Sequence, residues 1–291
     1  MQNILVTGAN GQLGQAIQLI AGSYPDFNFI YTDYQELDIT SSAAITGFFS
    51  GQAIHACINC AAYTAVDKAE SEEEKAFKLN FEAALNLAEA CQQHNAQLVH
   101  ISTDYVFDGK YYRPYTEQDE PNPQSIYGAS KLRGEAAALG TNPDTIVIRT
   151  AWLYSQFGVN FVKRMKELMQ ERPSLNVVFD QAGTPTYAVD LARAVLHILQ
   201  YRQQHPDAAI GGVYHYSNEG VTSWYDFAVT IKELTGAACE VLPITTDQYP
   251  TPAQRPPYSV LNKQKIKETF GIQVPYWKNS LKACLQQLNG M

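Results

Sequence analysis

The sequence predicts an α/β fold: a doubly wound parallel sheet with a smaller α+β lobe attached. Three observations carry this. Short apolar runs alternate with helix-length amphipathic segments as far as residue 150, the pattern of parallel strands joined by crossover helices. The first run, Ile4-Leu5-Val6-Thr7, opens directly into Gly8-Ala9-Asn10-Gly11-Gln12-Leu13-Gly14 and then into a helical pattern. Beyond residue 150 the alternation loosens, and proline and turn residues gather, as between Pro243 and Tyr258.

The 291 residues suffice for a sizeable core in one or two domains. The apolar fraction of 45% is that of an ordinary globular protein. A net charge of −8 argues against nonspecific binding to nucleic acid or to an anionic membrane. No apolar run has transmembrane length. Met1-Gln2-Asn3 leads straight into the first strand, so no signal peptide is expected. Five scattered cysteines suit a reducing cytoplasm. Cys57-Ile58-Asn59-Cys60 has C-x-x-C spacing but lies within the strand-like run Ile54 to Ala62, with no second pair, and reads as buried strand.

Strand, glycine turn and helix start form a phosphate site. The glycines allow a tight turn and close backbone approach, and the helix amino terminus offers free N–H groups. The spacing here is G-x-x-G-x-x-G, with Asn10 inside the turn. Phe27 to Thr32 is the second strand. It ends at Asp33, 19 residues past Gly14, where a carboxylate hydrogen-bonds an adenosine ribose. Asp38-Ile39 is the candidate for the adenine edge. Ala53 to Ala62 is the next strand, and the small residues of Ala61-Ala62-Tyr63-Thr64 let a flat cofactor pass close to the backbone. A long helix from Glu73 to His94 follows, with the acidic run Glu70 to Glu74 as its solvated start. Leu98 to Thr103 delivers Thr103 to a strand's carboxyl end, where open α/β sheets bind ligands. Asp108 to Ser125 is a loop over the site.

Tyr127 and Lys131 then lie four apart, on one face of a helix. A tyrosine has a pKa of about 10; a lysine ammonium beside it is expected to lower that value and make it a usable acid–base group. Thr145 to Arg149 is a further strand. The second half reads as a helix at Asn160 to Gln170, a strand at Asn176 to Phe179 and a loop at Gly183 to Thr186. A helix at Val189 to Tyr201, a return strand at Val213 to Tyr216 and helices at Trp224 to Thr235 and Leu281 to Leu288 complete it. Residues 1–150, with a return at about 187–216, are assigned to the dinucleotide-binding domain, and 151–186 and 217–291 to the substrate lobe.

Thr103, Tyr127, Lys131 and the glycine turn together resemble the extended short-chain dehydrogenase/reductase superfamily, with its Rossmann-type sheet. Gly11-Gln12-Leu13-Gly14, Ala61 to Glu70, Ser102 to Gly109, Tyr127 to Lys131, Arg149-Thr150-Ala151-Trp152, Gly183-Thr184-Pro185-Thr186 and Arg255-Pro256 resemble dTDP-4-dehydrorhamnose reductases over nearly the whole chain. The resemblance implies reduction by NADPH or NADH of the 4-keto group of dTDP-4-dehydro-L-rhamnose to dTDP-L-rhamnose, for polysaccharide precursor synthesis in the cytoplasm. It makes Thr103, Tyr127 and Lys131 catalytic. Gly8, Gly11, Gln12, Leu13, Asp38, Ile39, Ala61, Ala62 and Thr64 would contact the cofactor, joined by Asn10 and Asp33 from the turn and the second strand. Val66, Thr103, Asp104, Val106, Phe107, Trp152, Asn160 and Arg255 would contact the substrate, Arg255 by offering its fork to the diphosphate. Some relatives hold a metal at a dimer interface through acidic residues. The matching regions here read Gln15-Ala16 and Tyr187-Ala188-Val189, and no metal is expected. The partner is a nucleotide sugar, and the chain a monomer or homodimer. Two alternatives stay open: a cofactor-binding regulatory subunit without turnover, and an epimerase or dehydratase of the same superfamily. No Lys or Arg precedes Lys68, so NADH is expected to serve at least as well as NADPH.

Overall fold

The structure is a computed structural model that describes residues 1–290. In chain order, β1 (Gln2–Thr7), α1 (Gln12–Ile20), β2 (Phe27–Thr32), α2 (Ser42–Gly51) and β3 (Ile54–Asn59) open the molecule. A helical turn, α3 (Val66–Ala69), precedes α4 (Glu73–Phe77), a π-helical segment (Lys78–Glu82) and α5 (Ala83–Gln93). Then come β4 (Gln97–Thr103), α6 (Ile126–Thr141) and β5 (Ile146–Thr150). The strands pair in parallel in the order β2, β1, β3, β4, β5.

The chain continues through β6 (Leu153–Tyr154), α7 (Phe161–Glu171), β7 (Ser174–Val178), β8 (Ala182–Gly183), β9 (Thr186–Tyr187) and α8 (Ala188–Gln204). The strand expected to return does so: β10 (Gly212–His215) adds to the edge of the same sheet, parallel to β5. β11 (Thr222–Ser223), α9 (Trp224–Thr235), β12 (Glu240–Ile244), α10 (Gln264–Phe270) and α11 (Trp277–Gly290) complete the chain. Small two-stranded ladders, β6 with β9, β7 with β12 and β8 with β11, organise this half.

Both sheet faces are dry because the strands are apolar on both sides, as a doubly covered parallel sheet requires. Ile4, Val6, Ile58, Val99 and Ile148 join one cluster with residues of α1, α8, α9 and α11. Leu5, Cys57 and Leu98, one residue over in the pleat, join another with α2, α5 and α6.

The long helix expected from Glu73 to His94 is interrupted. Its π segment brings Asn80 inward, where Oδ1 accepts the Tyr63 N–H at 2.8 Å and Nδ2 donates to Ser130 Oγ at 2.9 Å. A π turn is where a helix gives up regularity to aim a side chain; here it ties the loop after β3 to α6. The sequence reading missed α10, although Ile266 and Phe270 are buried four apart and Gly271 closes it in the left-handed conformation.

Candidate active site

The sheet order reverses between β1 and β3, and the crevice at that switch is where ligands bind in such folds. A cavity of about 670 Å³ opens there, at the carboxyl ends of β1, β3, β4 and β5. On its phosphate side Gly8 has φ +63, and a Cβ on it would stand 2.7 Å from the Ala61 backbone. Gly14 lets α1 press on the turn: a Cβ there would lie 2.6 Å from Ala9. Gly11 begins α1 without a side-chain cap, leaving the N–H groups of the first turn for an anion.

Gly8, Gly11, Gln12 and Leu13 line the cavity, as do Asp33, Asp38 and Ile39 farther along. Asp33 accepts the N–H groups of Asn10 (3.1 Å) and Tyr34 (2.8 Å), so its carboxylate is fixed toward the crevice. Asp38 accepts the Thr40 N–H and hydroxyl. Ala61, Ala62, Thr64 and Val66 also line it, with Ala61 directly against Gly8. This cradle suits a dinucleotide: a tight turn, uncapped N–H donors and a cavity-lining carboxylate at the end of β2.

The sequence placed the reacting groups together, and the structure brings them into the same cavity. Thr103, the last residue of β4, donates to Asp104 Oδ1 at 3.1 Å and accepts the Tyr105 N–H at 3.2 Å. Tyr127 and Lys131 enter from α6, which Ser125 caps and Glu70 anchors through the Ile126 N–H at 2.9 Å. Tyr105 packs edge-on against Tyr127, with ring centroids 5.5 Å apart.

The electrostatics differ from the sequence expectation. Desolvation pushes the Tyr127 phenol up to about 12; the neighbouring Thr103 hydroxyl pulls it down and the Asp104 carboxylate pushes it up. Lys131 does not set this value. Its ammonium is buried and donates to the Ile101 carbonyl at 2.6 Å, and burial lowers its own pKa to about 8 against the pull of Glu135. Asp104 is also buried, which raises it to about 6.

Other expectations need correction. Asn10 lies outside the cavity wall, exposed, and its backbone serves to hold Asp33. Val106 and Phe107 have no exposed surface to offer a substrate: they pack with Tyr115, Ala151 and Leu261 in a small core beneath the site. Arg255 does not line the cavity either. Its fork is engaged by Asp67, at 3.0 Å to Oδ1 and 2.8 Å to Oδ2, and it also donates to the Ala253 carbonyl. Trp152 and Asn160 do line it.

The sequence reading passed over a buried ion pair behind Lys131. Glu135 lies one helical turn farther along α6 and takes both oxygens to Arg149, at 2.7 Å to Nη2, while Ser102 donates to Oε1 at 2.5 Å. The i, i+4 spacing from Lys131 was the available signal. Below the turn, Thr7, Asn59 and His100 stand side by side in register on β1, β3 and β4, joined Thr7 to Asn59 at 2.8 Å and Asn59 to His100 at 3.1 Å.

A glycine cradle at the switch point and a Tyr-x-x-x-Lys pair facing a strand-end threonine define a nicotinamide-dependent oxidoreductase of the extended short-chain dehydrogenase/reductase class. Solved structures share the fold even at low identity, such as a Thermus thermophilus UDP-glucose 4-epimerase at 19% identity and TM-score 0.82, covering 99% of each chain. The family model described as RmlD substrate binding domain matches residues 1–289, and the chain belongs to that family. A dTDP-4-dehydrorhamnose reductase of Sinorhizobium fredii is 41% identical over 281 residues, 95% of this chain and 94% of the relative. A Clostridium acetobutylicum structure with the same name is 46% identical with TM-score 0.93, covering 99% of this chain and all of that one. A Bacillus anthracis structure, also so named and in complex with NADP, is 37% identical with TM-score 0.91 over 99% of this chain and all of that one.

Proposed function

We propose that this protein reduces the 4-keto group of dTDP-4-dehydro-L-rhamnose to give dTDP-L-rhamnose, using NADPH or NADH, in the cytoplasm, as a monomer or homodimer. The observation that carries the reading is the convergence of Thr103, Tyr127 and Lys131 on one cavity with the glycine turn. A bound dihydronicotinamide supplies the hydride. Thr103 orients the ketone through its hydroxyl, Tyr127 gives the nascent alkoxide its proton, and Lys131 holds the nicotinamide ribose. In this reading residues 1–150 and the return at 187–216 hold the cofactor, and 151–186 with 217–291 hold the sugar nucleotide. The test is loss of reduced-cofactor absorbance on adding dTDP-4-dehydro-L-rhamnose. A regulatory subunit would give none, and an epimerase or dehydratase would give product without net oxidation.

Asp33 is the reason to expect NADH to be accepted. Among the described residues lining the cavity, Lys131 is the only lysine or arginine, and it sits at the reacting end. A 2′-phosphate would meet the Asp33 carboxylate with no cation beside it. NADH is therefore expected to be at least as efficient as NADPH, and Asp33→Ala to move the ratio toward NADPH by about tenfold, about 1.4 kcal/mol. A wild type that prefers NADPH more than tenfold, with the preference unmoved by the substitution, would overturn this assignment.

Arg255 stands close enough to Tyr105 to act on its phenol electrostatically, and it would reach a diphosphate by exchanging Asp67 for it. Arg255→Ala is expected to raise the KM for the sugar nucleotide about tenfold or more, since a hydrogen bond to a charged group contributes about 1.5–3 kcal/mol. Cofactor affinity should stay within twofold. An unchanged KM would leave Arg255 as the partner of Asp67 only.

A further inference from the structure

Gln12, the first residue of α1, has its backbone in the phosphate cradle and its side chain on the segment that follows β5. Its Oε1 accepts from Ser155 Oγ at 2.9 Å and Asn160 Nδ2 at 3.0 Å, and its Nε2 donates to the Leu153 carbonyl at 3.4 Å. These partners lie 141 to 148 residues farther along the chain. Asn160 knits the same loop together: Nδ2 also donates to the carbonyls of Ser155 (2.8 Å) and Phe157 (3.1 Å), and Oδ1 caps α7 through the Lys163 N–H. Its amide is spent on the loop and on Gln12, which leaves little for a sugar.

What Gln12 holds is the segment of the cavity lining that follows β5, with Gly158 close against its side chain. Gly158, Val159, Asn160 and Trp152 line the cavity there. Trp152, one residue before the carbonyl that Gln12 grips, has φ +48 and stacks on Trp224 with ring centroids 3.5 Å apart. A non-glycine residue in the left-handed region costs about 1–2 kcal/mol and persists only where its surroundings impose it. The indole is thus held in a conformation that depends on its neighbours on both sides.

We propose that Gln12 is a positioning residue that couples the glycine turn to the loop 155–160: a pyrophosphate seated on the first turn of α1 fixes that loop and Trp152, and so completes the sugar-nucleotide site. The nature of the two ligands rests on the reductase reading above; the mechanical link rests on the hydrogen bonds. Linkage makes the effect reciprocal, each ligand tightening the other by the same factor, and such couplings run from about 5-fold to 150-fold.

Hydrogen exchange on the full chain tests this without turnover. In the wild type, saturating NADH or NADPH should slow exchange both at residues 8–14 and at residues 153–160. In Gln12→Met, which keeps the length of the side chain and loses its three hydrogen bonds, the cofactor should still protect 8–14 but no longer 153–160. Ser155→Ala removes one donor from the far side and should give a partial loss, which keeps the test open if Gln12→Met folds poorly. Equal protection of 153–160 in wild type and both variants, or no protection there in the wild type, overturns the proposal. Under saturating cofactor the KM for dTDP-4-dehydro-L-rhamnose should also rise about fivefold to tenfold in Gln12→Met, the low end of the coupling range. If the wild type does not turn that sugar over, the reductase reading fails, and the exchange pattern still decides the role of Gln12.

Discussion

Replacing Tyr127 with Phe is expected to lower kcat by about 10²–10⁴-fold, the range general acid–base groups supply, while the fold and the cofactor affinity stay as they are. The structure explains why the loss should be confined to chemistry. The ring keeps its edge-on contact with Tyr105. The Thr103 hydroxyl keeps Asp104 and the Tyr105 N–H as partners, so no buried group is orphaned. Reduction of a ketone needs a proton donor, and a phenol pushed up to about 12 is wholly protonated at neutral pH. A sugar alkoxide is the stronger base and takes that proton. Tyr127 therefore needs no help from Lys131 to be in its working form, and no alkaline loss of activity near pH 8 belongs to it. The check is single-turnover kinetics alongside cofactor titration and circular dichroism. A folded variant with near-wild-type turnover would remove Tyr127 from the reaction.

The parts of the site legible in the sequence were those in which a local pattern fixes geometry. Gly8, Gly11 and Gly14 specify a turn because their backbone must pass where a Cβ cannot. Tyr127 and Lys131 specify one helix face because 3.6 residues make a turn. Thr103 follows an apolar run and so must stand at a strand end. What could not be read depends on distant residues. Arg255 offers its fork to a diphosphate in the sequence, where nothing local shows that Asp67, 188 residues away, already engages it. Val106 and Phe107 belong to a motif whose neighbours line the cavity, yet Tyr115 and Leu261 cover them. The Tyr127 pKa illustrates the same limit. Spacing announced an ammonium nearby, whereas burial, which no spacing reports, decides the direction. Asn160 had the same ambiguity: a polar residue near the site, turned in the fold toward its own loop and Gln12.

The second large effect is expected at Glu135, which touches no ligand. Glu135→Ala should destabilise the protein by about 3–5 kcal/mol, the cost of leaving a buried charge without its partner. Both side chains of the Glu135–Arg149 pair are nearly inaccessible, at 3% and 4% exposure. Among the described residues Arg149 Nη1 is buried without a hydrogen-bond partner, and the guanidinium lies over the Phe107 ring. The loss reads out as a lower urea midpoint. Glu135→Gln keeps the shape and removes only the charge, which separates stability from function. The Glu135 carboxylate is the group that holds the Lys131 pKa up against burial. Without it Lys131 should lose its proton at a lower pH. The ammonium is present below its pKa and absent above it, so the wild type should lose activity as pH rises through about 8, and Glu135→Gln should lose it earlier on the same limb. A pH profile of kcat/KM for both proteins gives the answer. An alkaline limb that stays in place in a folded Glu135→Gln variant would show that the carboxylate supports the helix alone and leaves the charge of Lys131 untouched.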